Sequence, residues 1–235
     1  LSEYYTWDVI SDAGMYYSGN YEANNAYQGI QSNFSAYLNE EFSWNALTKM
    51  VVGLRMERYD QFYTGVDQQE AAAPGTGINY RWEPVLNNFN LFPTASLIYS
   101  VNENSNLRLG AFRTVARPSF KEKSAAQIED VLTGITFIGN LNLVNTTINN
   151  LDLRYERFFD GGQTVALSGF YKSFQNPIEL VAYSAAAPSN FQPRNVGNAT
   201  VAGVEFEVRK NLGFIGMKNL EINSNFTGIY SSVTR

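Results

Sequence analysis

The chain has 235 residues with 44% hydrophobic, 14% aromatic and 17% charged positions and a net charge of -5, which suits one domain and lacks the basic footprint that nucleic-acid binding requires. It contains no cysteine and no histidine, so disulfides, thiolate metal sites and a serine–histidine–aspartate triad are excluded, and any acid–base chemistry would rest on carboxylates. No stretch approaches the ~20 apolar residues of a membrane-spanning helix.

The first 29 residues read as a loop. Tyr4, Tyr5, Trp7, Tyr16, Tyr17 and Tyr21 crowd into a short polar stretch, an arrangement suited to stacking on a sugar or a flat chelate and equally to anchoring or loop packing. The loop carboxylates Asp8, Asp12, Asp67 and Glu70 lack EF-hand spacing, so no metal site is expected. The chain starts at Leu1 with no leader pattern, as expected of a mature or truncated piece.

From Ile30 the pattern has period two. Ile30, Phe34, Ala36 and Leu38 alternate with Gln31, Asn33 and Ser35, and after a short gap Met50, Val52, Leu54 and Met56 alternate with Lys49, Arg55 and Glu57, so the pair reads as a hairpin. A long gap over about 62–90 leads to Leu91, Ala95, Leu97, Tyr99 and Val101, then to a tight polar turn at 102–106. The fourth strand starts at Leu107 and Leu109, where strict alternation would put Arg113 among the apolar side chains at a cost of roughly 2–4 kcal/mol at a bilayer midplane. A bulge at Gly110 is therefore expected, turning Arg113 and Arg117 to the polar face and Phe112, Thr114 and Ala116 to the apolar one.

A second long gap covers about 118–146. The fifth strand sets Leu151, Leu153 and Tyr155 against Asp152, Arg154 and Glu156, and Asp160-Gly161-Gly162 signals a hairpin to a sixth, with Val165, Leu167 and Tyr171 on one face. After a third long gap at 176–196, Ala202, Val204, Phe206 and Val208 oppose Glu205, Glu207 and Arg209, and a last strand spans about 220–230. Eight antiparallel strands with short turns at one end and long loops at the other predict an all-β transmembrane barrel wall, whose mean hydropathy stays low because only alternate residues meet lipid. Aromatic residues flank the strand ends, with Phe42 and Trp44 at the first short turn, Phe158 and Phe159 at the glycine-rich one, and Tyr59, Phe62 and Tyr63 at the opposite end of the second strand, as interfacial girdles would.

The stretch from Leu107 through Arg113-Thr114-Val115-Ala116-Arg117-Pro118-Ser119-Phe120 resembles the "S-R-T-V-A-R-P" strand of TonB-dependent receptors. Gly139-Asn140-Leu141-Asn142-Leu143, Leu153-Arg154-Tyr155-Glu156, Asn176-Pro177-Ile178-Glu179 and Gly203-Val204-Glu205-Phe206-Glu207 are similar to further blocks of the same barrel in the same order, in the style of Bacteroidetes-type receptors. The resemblance implies that residues 1–235 are the middle of a barrel of about 22 strands, with the plug domain and the TonB box finding no counterpart here. It implies an importer, not an enzyme, of the bacterial outer membrane, without a cofactor. Its partners would be outer-membrane lipid, a TonB complex reached through an N-terminal part, a scarce nutrient such as a glycan, peptide or siderophore, and, for glycans or peptides, a surface lipoprotein.

On that reading Lys49, Arg55 and Glu57, then Arg113 and Arg117, Asp152, Arg154 and Glu156, and Glu205, Glu207 and Arg209 face the lumen, where they contact a plug or simply pair across strands. The alternative is a self-contained eight-stranded barrel serving as anchor, adhesin or small pore, since eight strands are able to close. A soluble β module would instead be free of a lipid-facing stripe.

Overall fold

A computed structural model describes residues 23–130 and 132–234; the aromatic cluster from Tyr4 to Tyr21 lies outside the described residues. The eight principal strands form one antiparallel sheet: β1 (Gln28–Asn45), β2 (Thr48–Val66), β3 (Asn79–Asn102), β4 (Ser105–Ala116), β7 (Thr146–Phe159), β8 (Gln163–Gln175), β11 (Asn198–Leu212) and β12 (Met217–Thr234), hydrogen-bonded in that order. β1 and β12 are its two edges, so these eight strands form an open wall and do not close on themselves. No helix among the described residues is long and apolar enough to cross a membrane, which says nothing against crossing by strands.

Alternation gives the wall two chemically distinct faces. Successive rows on one face, read through the register, are Leu54–Pro93, then Val52–Ala95–Ala111–Leu151–Tyr171–Ala202–Tyr230, then Met50–Leu97–Leu109–Leu153–Gly169–Val204–Gly228. These side chains have no second layer over them: Leu38 is 78% exposed, Phe34 75% and Val204 60%. A single apolar sheet face that large is stable only against an apolar environment.

The short turns are built by local side-chain chemistry. Asn45 Oδ1 accepts from the Leu47 N–H (2.9 Å), Asn102 Oδ1 from Asn104 (3.0 Å) and Asn211 Oδ1 from Gly213 (2.7 Å), each mimicking a backbone turn. The remaining turn uses Gly161 and Gly162 at φ 74° and 75°, a conformation that side-chain-bearing residues resist.

Three sequence expectations change. The pairing of β4 with β3 and β7 runs through Gly110 without a register shift, so there is no bulge. Arg113 therefore shares a face with Leu109 and Ala111, not with Phe112. It is tolerated because its row is polar from β7 to β12: Arg113 pairs with Asn149, then come Ser173, Thr200 and Ser232, and Arg113 Nε donates to Asn149 Oδ1 at 2.9 Å. The guanidinium thus lies at the margin of the apolar band.

Secondly, β2 and β3 extend far beyond a bilayer's needs, leaving only 67–78 between them, with α1 (Gln68–Ala72) inside. Asp67 Oδ1 caps α1 through the Glu70 N–H at 2.8 Å. Thirdly, the other two long gaps carry strands of their own: β5 (Gln127–Asp130) and β6 (Ile135–Ile138) in one, β9 (Ile178–Ser184) and β10 (Ala187–Asn195) in the other. They assemble into a single sheet ordered β5-β6-β10-β9, with β6 and β10 parallel.

Candidate functional site

The face opposite the apolar one carries most of the wall's charges, and the alternation that exposes leucines on one side orders acids and bases on the other. Its centre is a ladder across four strands. Arg108 Nε (β4) donates to Glu156 Oε1 (β7) at 2.6 Å, Arg154 Nε donates to Glu156 Oε2 at 3.2 Å, Arg154 Nη1 to Ser168 Oγ (β8) at 3.0 Å, and Arg154 Nη2 to Glu207 Oε2 (β11) at 2.5 Å. Glu156 is buried while its two arginines stay partly exposed, so the shared carboxylate is the member whose desolvation must be offset, and two charge-assisted bonds do so. Cross-strand pairing thus engages Arg154, Glu156 and Glu207. Arg108 completes the network and was missed in the sequence, although its alternation with Leu107 and Leu109 signals it.

A second cluster centres on Glu57, 4% exposed. Arg55 Nη2 donates to Glu57 Oε2 at 2.9 Å, Arg117 Nη2 donates to Glu57 Oε1, and the Arg117 guanidinium lies 4.4 Å from the centroid of Tyr59, whose hydroxyl donates to Gln31 Oε1 at 2.9 Å. Arg117 reaches there from just beyond the end of β4. Beside it opens a cleft of about 420 Å³ lined by Arg55, Glu57, Phe92, Phe112, Thr114 and Arg117; it forms where β3–β4 pairing stops at Thr94–Phe112, next to Pro93, which has no N–H to give the ladder. Arg117 Nε and Asn90 Nδ2 are buried donors without an acceptor among the described residues.

The other candidates lie apart. Lys49 pairs with Glu41 at 3.6 Å and Arg209 with Glu221 at 2.8 Å. Asp152 lies across from Gly110 and Phe170, and Glu205 between Ser168 and Thr227. Arg113 belongs to the other face of β4 by alternation, yet it borders the same cleft where the β3–β4 pairing has stopped.

The segment after β4 folds back over the polar face at the long-loop end. Phe120 packs on Gly29, where a Cβ would come 2.3 Å from Phe120 Cδ1. The Ala125 N–H donates to Tyr63 Oη at 3.2 Å, and Tyr63, 2% exposed, stacks with Tyr27 and meets Tyr80 edge-on. Tyr59 and Tyr63 are therefore covered by chain and do not belong to a girdle, whereas Phe62 points to the opposite face. Lys123, 1% exposed, donates from Nζ to the carbonyls of Leu141 and Leu143, both at 2.5 Å. With no carboxylate beside it among the described residues, burial holds its ammonium well below the usual lysine range, at about 8. Asn140 Nδ2 donates to the Pro193 carbonyl at 3.0 Å and the Val144 N–H to Asn195 Oδ1 at 2.8 Å, tying the two strand-bearing loops together.

No group of three or more acidic residues is placed to hold a metal ion among the described residues. The site is a charged wall and a capped vestibule, suited to binding and passage.

The family model described as "TonB dependent receptor-like, beta-barrel" matches residues 1–234. No curated protein matches the chain by sequence. Among solved structures, the siderophore receptor PirA from Pseudomonas aeruginosa is 17% identical with a TM-score of 0.56, over 87% of this chain and 44% of that one. The ferric-catecholate import receptor Fiu from K12 E. coli is 14% identical with a TM-score of 0.60, over 89% and 29%. The alcaligin outer-membrane receptor FauA from Bordetella pertussis is 17% identical with a TM-score of 0.54, over 88% and 31%. At these identities the likeness is one of fold, and the chain spans less than half the length of each.

Proposed function

The chain belongs to the TonB-dependent receptor-like β-barrel family of outer-membrane proteins, and from that premise we propose that it supplies part of the wall and loops of an active importer of a scarce nutrient. The observation that carries this reading is the two-faced open sheet: an apolar face fit for lipid, and a face bearing Arg108–Glu156–Arg154–Glu207 and Arg55–Glu57–Arg117 for a polar interior. Residues 1–235 form part of one barrel domain, its remaining strands, plug and TonB-coupling segment being supplied elsewhere in the full receptor, and Bacteroidetes-type ancestry is the finer reading of its motifs. The unused Nε donor of Arg117, which lines the Glu57 cleft, is the contact offered to plug or ligand. PirA, Fiu and FauA favour a metal chelate, while a glycan or peptide taken with a surface lipoprotein is the competing cargo.

The test uses the full-length receptor in cells lacking other importers of each probe. A ferric catecholate, ferric alcaligin and a labelled oligosaccharide are offered with and without a protonophore. Accumulation of one of them only in energised cells is expected; uptake that ignores the protonophore would identify a passive pore instead.

A further inference from the structure

Two cations converge on one aromatic ring at the short-turn end of the apolar face. Arg157 Cζ lies 5.1 Å and Lys210 Nζ 4.9 Å from the centroid of Phe159. Every other cation–ring contact among the described residues involves a single cation. The register fixes the height. The last fully apolar row is Tyr155–Leu167–Phe206–Phe226; Arg157 stands in the row below it, opposite Val165, and Phe159 one row lower, opposite Gln163. Lys210 lies two residues beyond Val208, on the same face, and reaches the ring from across β8.

Neither cation has a carboxylate within 4 Å among the described residues. This is unlike the polar face, where Arg55, Arg108, Arg117, Arg154 and Arg209 all have acids, in a chain with an excess of acid overall. Two like charges drawn to one ring without a counter-ion repel each other and gain from an anion between them. At this height the neighbouring matter is the boundary between acyl chains and headgroups, and the ring continues the apolar face down to it.

We propose that Arg157, Phe159 and Lys210 form a binding site for the phosphodiester of an anionic glycerophospholipid in the leaflet on the short-turn side. The guanidinium presents paired N–H donors to two phosphate oxygens and the ammonium a point charge to a third, while Phe159 packs the glycerol end of the acyl chains. A zwitterionic headgroup brings its own cation into the same space and is disfavoured.

The experiment uses the full-length receptor, folded by the criterion of heat-modifiable mobility, in micelles containing equal phosphatidylglycerol and phosphatidylcholine, with bound lipids counted by native mass spectrometry. The wild type retains phosphatidylglycerol over phosphatidylcholine. Arg157→Gln and Lys210→Gln each lower that preference about fivefold and the pair lowers it roughly thirtyfold, as expected for about 1 kcal/mol per basic residue at an anionic surface. Lys121→Gln, which removes a cation–ring contact with Phe137 at the long-loop end, leaves the preference unchanged. Equal retention of the two lipids by the folded wild type overturns the proposal even if no variant folds, by showing cations that merely reach for water. So does a folded double variant that keeps the preference, or displacement of the lipid by inorganic phosphate alone, which would mark a free-anion site.

Discussion

Phe120 occupies the space in which a Cβ on Gly29 would sit, 2.3 Å from its Cδ1. The contact joins the start of the wall to the segment that covers its polar face. Gly29→Ala should push the ring away and loosen that cover by about 1–3 kcal/mol, the usual cost of overpacking. Hydrogen exchange at 117–126 should rise while the amides of β7 and β8 stay protected; unchanged exchange would show that the ring yields freely.

Glu156→Gln should remove the charge shared by Arg108 and Arg154 and lower stability by about 1–2 kcal/mol, a figure discounted because both guanidiniums remain partly in water. The midpoint of the heat-modifiable gel transition measures it. A double-mutant cycle on Arg154 and Glu207 should give a coupling near 0.5–1 kcal/mol.

Lys123 makes the cover pH-sensitive in a defined direction. Its folded value of about 8 lies below the ordinary 10.5, so between those values the unfolded segment binds the extra proton and local stability increases with pH. Protection of 117–145, corrected for intrinsic exchange, should climb roughly tenfold or more from pH 8 to pH 10 and be flat below pH 7. Lys123→Met should abolish the climb; protection that falls with rising pH would contradict the burial of a lone ammonium.

Adjacent residues on β11 should respond oppositely to the same change. Val204→Arg places a charge on the apolar face and should cost about 2–4 kcal/mol on folding into phosphatidylcholine vesicles, whereas Glu205→Arg, on the polar face, should cost well under half of that. Equal costs would mean that the two faces do not meet different media.

The eight wall strands were legible because period-two alternation and turn chemistry are local: Leu151, Leu153 and Tyr155 against Asp152, Arg154 and Glu156 declare their faces without any partner. What alternation could not reveal was where polarity along a row replaces a bulge. Arg113 looked misplaced because its neighbours Asn149 and Ser173 lie 36 and more residues away and become adjacent only through the register. The burial of Tyr59, Tyr63 and Lys123 was equally hidden, since it depends on a segment folding back over β2, and isolated tyrosines near strand ends look the same in a girdle. The strands in the loops are only four residues long in β5 and β6, too short for a periodic signal, and the pairing that joins the two hairpins, β6 with β10, runs between residues more than 50 apart in sequence.

The parallel pairing of β6 with β10 makes 117–145 and 176–197 a single inheritance. Two excursions that leave the wall at different hairpins share one sheet and one set of asparagine clasps, so specificity transplanted from a relative must come as both segments together. A chimera that exchanges either one alone would keep two hairpins and lose the seam that joins them.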